Sequence, residues 1–270
     1  MQTISEYYNG VVEKEDSRLS ECSAEFGLTW ALIQKHLKKI KGNRILDLGG
    51  GTGVYAIPLA EQGRDVLLVD ISECEIKYAK HKAREKNVEM SVGVQVARVF
   101  EESLRGEFDL VLCLGPLYHA SSLQEIKVII SNLLEYVKEN GKIIMAFLSK
   151  DSKICDFIKK FDKKEKQDIE KVMTHFYEHT DEEKVFFFEK RGELPVSFVN
   201  ISKIDTLFAE LNVQIDEIVC VDYINDIPTE MSEKEIDFFL ELGKGIYLKN
   251  GSHILVTAER GKQNGNKQKL

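Results

Sequence analysis

The sequence predicts an α/β protein: an open, mostly parallel seven-stranded sheet with helices on both faces, preceded by an N-terminal helical segment and interrupted by an inserted cap after the fifth strand. Three observations predict it. Short apolar runs alternate with amphipathic helical stretches from Arg44 to Leu148, which is the pattern of β-α units joined by crossovers. One strand runs straight into a glycine cluster that opens a helix, Asp47-Leu48-Gly49-Gly50-Gly51-Thr52-Gly53. Finally, Phe108 to Leu114 is apolar almost throughout, as a central strand covered on both faces must be.

From Ser5 to Ile40 the pattern is helical, with Phe26, Trp30, Ile33 and Leu37 recurring on one face at spacings of three and four. Gly42 stops it, and Arg44 to Asp47 forms the first short buried strand. Val54 to Gln62 reads as a helix closed by Gly63, with Pro58 tolerable only in its first turn. Asp65 to Val69 is a second strand ending in Asp70, and Ser72-Glu73-Cys74-Glu75 is a capping box for the helix that runs to Lys86. Met90, Val92, Val94 and Val96 alternate as a third strand, Phe108 to Leu114 is the fourth, and Leu123 to Asn140 is a long amphipathic helix ended by Gly141. Lys142 to Leu148 is the fifth strand. Residues from about Ser149 to Phe198 then interrupt the alternation with a charged helical stretch and an aromatic strand, Val185 to Glu189, followed by Val196 to Val199. A helix near Ile204 to Leu211, a strand near Val213 to Tyr223, a helix from Glu233 to Leu242 and a last strand, His253 to Thr257, complete the sheet, and Gly261 to Leu270 reads as a disordered polar tail.

The bulk properties exclude several classes. No apolar run approaches the roughly 20 residues that a helix needs to cross a bilayer, and the acidic opening MQTISEYYNGVVEKED has no apolar core of a signal peptide, so the cytoplasm is the expected compartment. Five scattered cysteines, Cys22, Cys74, Cys113, Cys155 and Cys220, show no metal-ligand spacing and read as reduced thiols. A net charge of −8 argues against nucleic acid as the main partner, because phosphate binding needs basic surface. Runs such as Lys38 to Lys41 and Lys163 to Lys166 read as solvated helix faces.

The glycine turn carries the chemistry. Glycines at 49, 50, 51 and 53 let the backbone lie against a ligand with its amides exposed. Two cofactor classes compete for it, since Gly51, Gly53 and Ala56 also satisfy the dinucleotide pattern G-x-G-x-x-A, with Asp70 at the ribose-binding distance. Asp47 discriminates between them: an acid at the mouth would repel a pyrophosphate, yet pairs with the ammonium of a methionine moiety. S-adenosylmethionine is therefore favoured. Asp70 has the chemistry to accept two hydrogen bonds from vicinal ribose hydroxyls.

The stretch from Arg44 to Leu148 resembles the core of class I S-adenosylmethionine-dependent methyltransferases, whose sheet is Rossmann-like. More narrowly, EDSRL around Arg18, DLGGGTGVYAIPLA, and LGPLYH at Leu114 to His119 together resemble a bacterial group of small-molecule methyltransferases. The resemblance implies that Asp47, Gly49, Gly50, Gly51 and Gly53 hold the methionine part, that Asp70 holds the ribose, and that Leu114 to His119 face the methyl group. Where the family often has an acid after the third strand for the adenine amino group, this chain reads Gln95-Val96-Ala97-Arg98. Adenine then rests on backbone near Val96 and Ala97, with Ile71 as an apolar face. The implied division is a lid over 1–41, a cofactor-binding core over 42–150, a cap over 151–200 that chooses the acceptor, the rest of the core sheet over 201–260 and a tail over 261–270.

The sulfonium is already electrophilic, so the protein mainly has to align an acceptor, and no metal is required. His119 is the expected base for a hydroxyl acceptor, with Tyr118 shaping the pocket rim. Tyr7 and Tyr8 are candidates for a lid closing over the cofactor, with Arg18 anchoring it. His175 and His179, one helical turn apart, have no further metal ligand nearby, and Phe186 to Phe188 read as core or as acceptor-site lining. The expected activity is methyl transfer to a small organic acceptor. A nicotinamide-dependent oxidoreductase and a non-catalytic S-adenosylmethionine-binding protein remain the alternatives.

Overall fold

Consecutive apolar residues on each central strand face opposite sides of the pleat, and this alternation builds two cores around one sheet. In the computed structural model, which describes residues 3–13, 16–17, 23–88, 91–94, 102–149, 186–191, 194–201, 204–211, 213–223, 231–246 and 251–260, helices α1 (Ile4–Asn9) and α2 (Ser23–Leu37) precede strand β1 (Arg44–Leu48). Helix α3 (Ala56–Glu61), strand β2 (Asp65–Asp70), helix α4 (Glu73–Glu85) and strands β3 (Ser91–Val94) and β4 (Phe108–Cys113) follow. Next come α5 (Leu123–Tyr136), β5 (Val137–Leu148), the hairpin β6 (Phe186–Arg191) and β7 (Leu194–Val199), α6 (Ile204–Glu210), β8 (Gln214–Cys220), α7 (Glu233–Ile246) and β9 (His253–Glu259).

The main sheet has the order β3-β2-β1-β4-β5-β9-β8. Strands β1 to β5 pair in parallel, and β9 runs antiparallel to both β5 and β8. Ile45, Leu110 and Ile144 face the core beneath α2, α3, α4 and α7. Their neighbours Leu46, Val111 and Ile143 face the core beneath α5 and α6. Strand order reverses between β1 and β4, and in open sheets of this kind the crevice outside the strand carboxyl ends at that reversal is where ligands bind.

Local chemistry sets the helix starts. The Ser72 side chain accepts the Glu75 N–H at 3.2 Å to open α4, and the Ser122 side chain accepts the Glu125 N–H at 3.1 Å to open α5. Pro58 is the third residue of α3, where its missing N–H costs nothing. Ile126, Ile130 and Leu133 on α5 are fully buried, and each such side chain contributes about 1.5–3 kcal/mol.

Two expected elements differ. The helical pattern from Ser5 to Ile40 is broken: α1 stops at Asn9, whose side chain is drawn to the sheet edge by Ser72 Oγ at 2.8 Å and the Cys74 N–H at 3.2 Å. In α2 the fully covered face is Leu28, Leu32, Ile33 and Leu37, whereas Phe26 and Trp30 are half-buried and Phe26 stacks on Tyr55. The helix expected to reach Asn140 ends at Tyr136, and Val137 already pairs with Phe108. Asn140 has φ +62°, and a Cβ on Gly141 would lie 2.7 Å from the Val137 side chain. Gly141 therefore permits a close backbone approach inside β5 instead of capping a helix.

The β6–β7 hairpin packs on the sheet through β7. Ser197 Oγ donates to the Leu117 carbonyl at 2.8 Å, and Phe198 and Val199 are buried. The charged part of the expected cap, including His175 and His179, lies outside the described residues, as does the tail 261–270. No described helix is long and apolar enough to cross a membrane.

Candidate functional site

The carboxyl ends of β1 and β4 open into a cavity of about 480 Å³, within the range of small-molecule sites. Its floor is the glycine turn. Gly49 and Gly51 have φ of +69° and +52°, a region that strains any other side chain. A Cβ on Gly50 would sit 2.6 Å from Asp47 Oδ2, so the absence of side chains is what leaves the Asp47 carboxylate reachable. Gly53 does not line the cavity; a Cβ there would meet Ile57 and Leu68, so it serves strand-to-helix packing.

Asp47, at the end of β1, is 1% exposed, and its Oδ2 has no hydrogen-bond partner among the described residues. Burial, reinforced by the charge of Asp70 and opposed by the Ala56 N–H, pushes its carboxyl up to about 7. A buried carboxylate oxygen without a donor is costly, and a cation in the cavity would relieve that cost.

Asp70 differs from the expectation in one respect. Its oxygens already accept backbone donors, Oδ2 from the Gly51 N–H at 3.0 Å and Oδ1 from the Ser72 N–H at 2.8 Å. It therefore stitches the glycine turn to the end of β2. Burial raises its pKa while these backbone bonds lower it. Each carboxylate oxygen accepts more than one hydrogen bond, so contact with a ligand remains compatible with this role.

The turn after β4 supplies the opposite wall, where Leu114, Tyr118 and His119 line the cavity. The Tyr8 hydroxyl lies 2.8 Å from His119 Nε2. At the other rim, Ser5 Oγ donates to the Ile71 carbonyl at 3.1 Å. Helix α1 therefore spans the mouth from β2 to the turn after β4. Farther along the N-terminal segment, Asp16 accepts from Thr52 Oγ1 at 2.7 Å and pairs with Lys82 at 2.6 Å. Asp47, Gly49, Gly50, Gly51, Asp70, Ile71, Leu114, Tyr8, Tyr118 and His119 thus converge on one space, while Arg18, Val96 and Ala97 lie outside the described residues.

The sequence reading missed further lining residues. Glu25 of α2, Glu75 of α4, Glu125 of α5 and His253 of β9 reach the same cavity. Glu75 and Glu125 each follow three residues after a capping serine, a signal that explained them locally and hid their second role. Asp47, Asp70, Glu25, Glu75 and Glu125 are the charged lining residues apart from histidine, and among the described residues no lysine or arginine lines the cavity. Such a lining attracts cations and repels a diphosphate.

A family model described as "Methyltransferase domain" matches residues 39–192. The ubiquinone biosynthesis O-methyltransferase of Rickettsia akari (strain Hartford) is 31% identical over 123 residues, covering 46% of each chain. Its counterpart in Rickettsia conorii (strain ATCC VR-613 / Malish 7) is 30% identical over 157 residues, covering 57% of this chain and 50% of that protein. The chain thus spans about half the length of the curated relatives it matches. Among solved structures, magnesium protoporphyrin IX methyltransferase from Synechocystis PCC 6803 with bound S-adenosylhomocysteine superposes with a TM-score of 0.59 at 16% identity, over 96% of this chain and 98% of that one. The 1,6-didemethyltoxoflavin-N1-methyltransferase of Burkholderia thailandensis gives 0.63 at 11% identity, over 96% and 88%. At such identities the likeness establishes the fold.

Proposed function

We propose, given that the chain belongs to the methyltransferase domain family, that it transfers the methyl group of S-adenosylmethionine to a small organic acceptor and releases S-adenosylhomocysteine. The observation that carries this reading is Asp47 Oδ2, buried at the glycine turn without a donor. An ammonium placed there would gain a charge-assisted hydrogen bond, whereas a diphosphate would meet like charge. The dinucleotide alternative also loses Gly53, which faces Ile57 and Leu68 instead of the cavity.

The residues fit the cofactor in parts. Asp47 and the backbone of Gly49 to Gly51 would hold the methionine portion, Asp70 the ribose hydroxyls, and Ile71 with Val96 and Ala97 the adenine. The cofactor supplies an activated methyl group, so the chain's own residues have to position the acceptor and keep water out. Tyr118 and His119 form the wall on the acceptor side, and His119 is the candidate proton acceptor for a hydroxyl there. Helix α1, bonded to Ile71 on one rim and to His119 on the other, acts as a lid, with Arg18 assisting its anchorage. The region 151–200 selects the acceptor as a cap. The acidic net charge supports a small-molecule partner over nucleic acid.

Calorimetry with S-adenosylmethionine, S-adenosylhomocysteine and NAD tests the reading. Binding of the first two without NAD is the expected result, and NAD binding alone would end it. Cofactor binding without methylation of any acceptor in a broad screen would favour a non-catalytic sensor.

A further inference from the structure

Strand β7 carries a hydroxyl on its core-facing side. Ser197 and Val199 point to the same face of the strand, and Val199 is buried in the core beneath α5 and α6. Ser197 is 2% exposed, and a buried hydroxyl is costly unless it finds a partner. Its partner is the Leu117 carbonyl, 80 residues away in the chain, at 2.8 Å. Val199 in turn bridges Ser149, just beyond the end of β5. The hairpin is thus fixed to the sheet at one point and to the turn after β4 at another.

That turn is a short 3₁₀ segment, Pro116–His119, and its first half is held independently of the hairpin. A Cβ on Gly49 would lie 2.4 Å from Pro116 Cγ, so the proline ring is seated on the glycine turn. The Leu117 N–H donates to the Cys113 sulfur, and the Tyr118 N–H donates to the Gly115 carbonyl at 2.9 Å. The second half depends on the Leu117 carbonyl, which accepts the Ala120 N–H at a long 3.4 Å and the Ser197 hydroxyl at 2.8 Å. Without that hydroxyl the carbonyl of buried Leu117 would lose its shorter hydrogen bond, and the turn would have to tighten or rotate to compensate. Tyr118 and His119 are the next two residues, so they carry any such rotation into the cavity wall. His119 Nε2 lies 2.8 Å from the Tyr8 hydroxyl, and the displacement continues from there into helix α1.

We propose that Ser197 is a positioning residue: through Leu117 it sets the wall formed by Tyr118 and His119, and through His119 it sets how firmly helix α1 closes over the cavity. The inference rests on the methyl-transfer reading and extends it, because the hairpin belongs to the region proposed to select the acceptor. Cap and lid are then one mechanical unit, in which a shift of β7 loosens or tightens the hold on the methyl donor. Ser197 does not itself line the cavity, so it acts through the turn. Coupling of this kind is reciprocal, and a change at Tyr8 is therefore felt at β7 as well.

A double-mutant cycle tests the proposal, since residues that act independently change binding additively in free energy. Calorimetry measures the S-adenosylhomocysteine affinity of the full chain and of its Ser197→Ala, Tyr8→Phe and doubly substituted variants. Each single change should weaken binding by about 2–12-fold, the worth of one hydrogen bond, and the double variant should bind no more weakly than the weaker single one. A merely structural Ser197 would give fold-losses that multiply. Hydrogen exchange supplies a reading that requires no Ser197 variant to fold: Tyr8→Phe should speed exchange in residues 115–120 and in β7 relative to β8. Multiplied losses, a folded Ser197→Ala variant with unchanged affinity, or β7 exchange that Tyr8→Phe leaves no faster relative to β8 each overturns the proposal. Failure of the unaltered chain to bind S-adenosylhomocysteine instead brings down the methyl-transfer reading beneath it, and hydrogen exchange still decides the coupling.

Discussion

Two acids, buried Asp47 in the cavity and half-buried Asp222 beside the cavity-lining His253, are treated in opposite ways. Asp47, at the β1 end, has an oxygen with no donor, and its carboxyl is pushed up to about 7. Asp222, beyond β8, collects Ser252, His253 and Cys220 as donors, and despite its burial these hold its carboxyl well below the usual range. The difference separates a group whose partner has to arrive from outside from one already committed within the chain.

Breaking the first group should have the largest effect. Asp47→Ala is expected to cost about 2–5 kcal/mol of S-adenosylmethionine affinity, the usual range for removing one partner of a buried charged pair; calorimetry reads it directly. In the unaltered chain, a ligand cation favours ionised Asp47, so affinity should rise as pH increases through about 7. It should level off or fall once the ligand's own amino group titrates, near pH 8. Asp47→Asn should abolish the rise, and a flat profile in the unaltered chain would mean that Asp47 is not the partner.

Stability should move in opposite directions at the two acids. The pKa of Asp47 is raised on folding, so the folded state binds the extra proton and stability falls as pH climbs from about 4 to about 7. Asp47→Asn should therefore stabilise the ligand-free protein at pH 8, by roughly 4 kcal/mol at most, and by little at pH 4. Asp222 has a lowered pKa, so its contribution is present above the ordinary carboxylate range and lost on acidification. Asp222→Asn should destabilise by about 1–3 kcal/mol at neutral pH, with the gap closing in acid. Urea denaturation at several pH values measures both, and shifts of the same sign would erase the contrast.

The smallest effect concerns helix α1. Tyr8→Phe removes one hydrogen bond to His119 and should weaken S-adenosylmethionine binding by about 0.5–1.5 kcal/mol with almost no change in melting temperature, because α1 has no buried residue. A large drop in melting temperature would make α1 part of the core instead of a cover.

The two ends of the cavity also differed in how far the sequence revealed them. The end proposed to hold the cofactor is local: Asp47 and the glycines are contiguous, and Asp70 follows one helix and one strand later, so spacing and residue type carry the inference. The opposite side brings together Glu25, Tyr118 and His253, three segments far apart in the chain, and no spacing connects them. The fold's alternation was legible for the same local reason. Its errors fell where one glycine admits two readings. Gly141 closes a helix in the pattern but sits within a strand in the structure, because helical periodicity over Val137 to Asn140 says nothing about pairing with Phe108. The long N-terminal helix failed similarly, since the contacts that stop it at Asn9 come from Ser72 and Cys74, more than 60 residues away.

The reversed direction of β9 has a consequence for how such a protein diversifies. The cavity draws most of its lining from the N-terminal helices, the glycine turn and the ends of the parallel strands, and Val221, His253 and Leu255 from the antiparallel pair β8 and β9 and its flanks. A change at His253 or Leu255 on the antiparallel strand would therefore alter one wall of the cavity without touching the glycine turn or the end of β2.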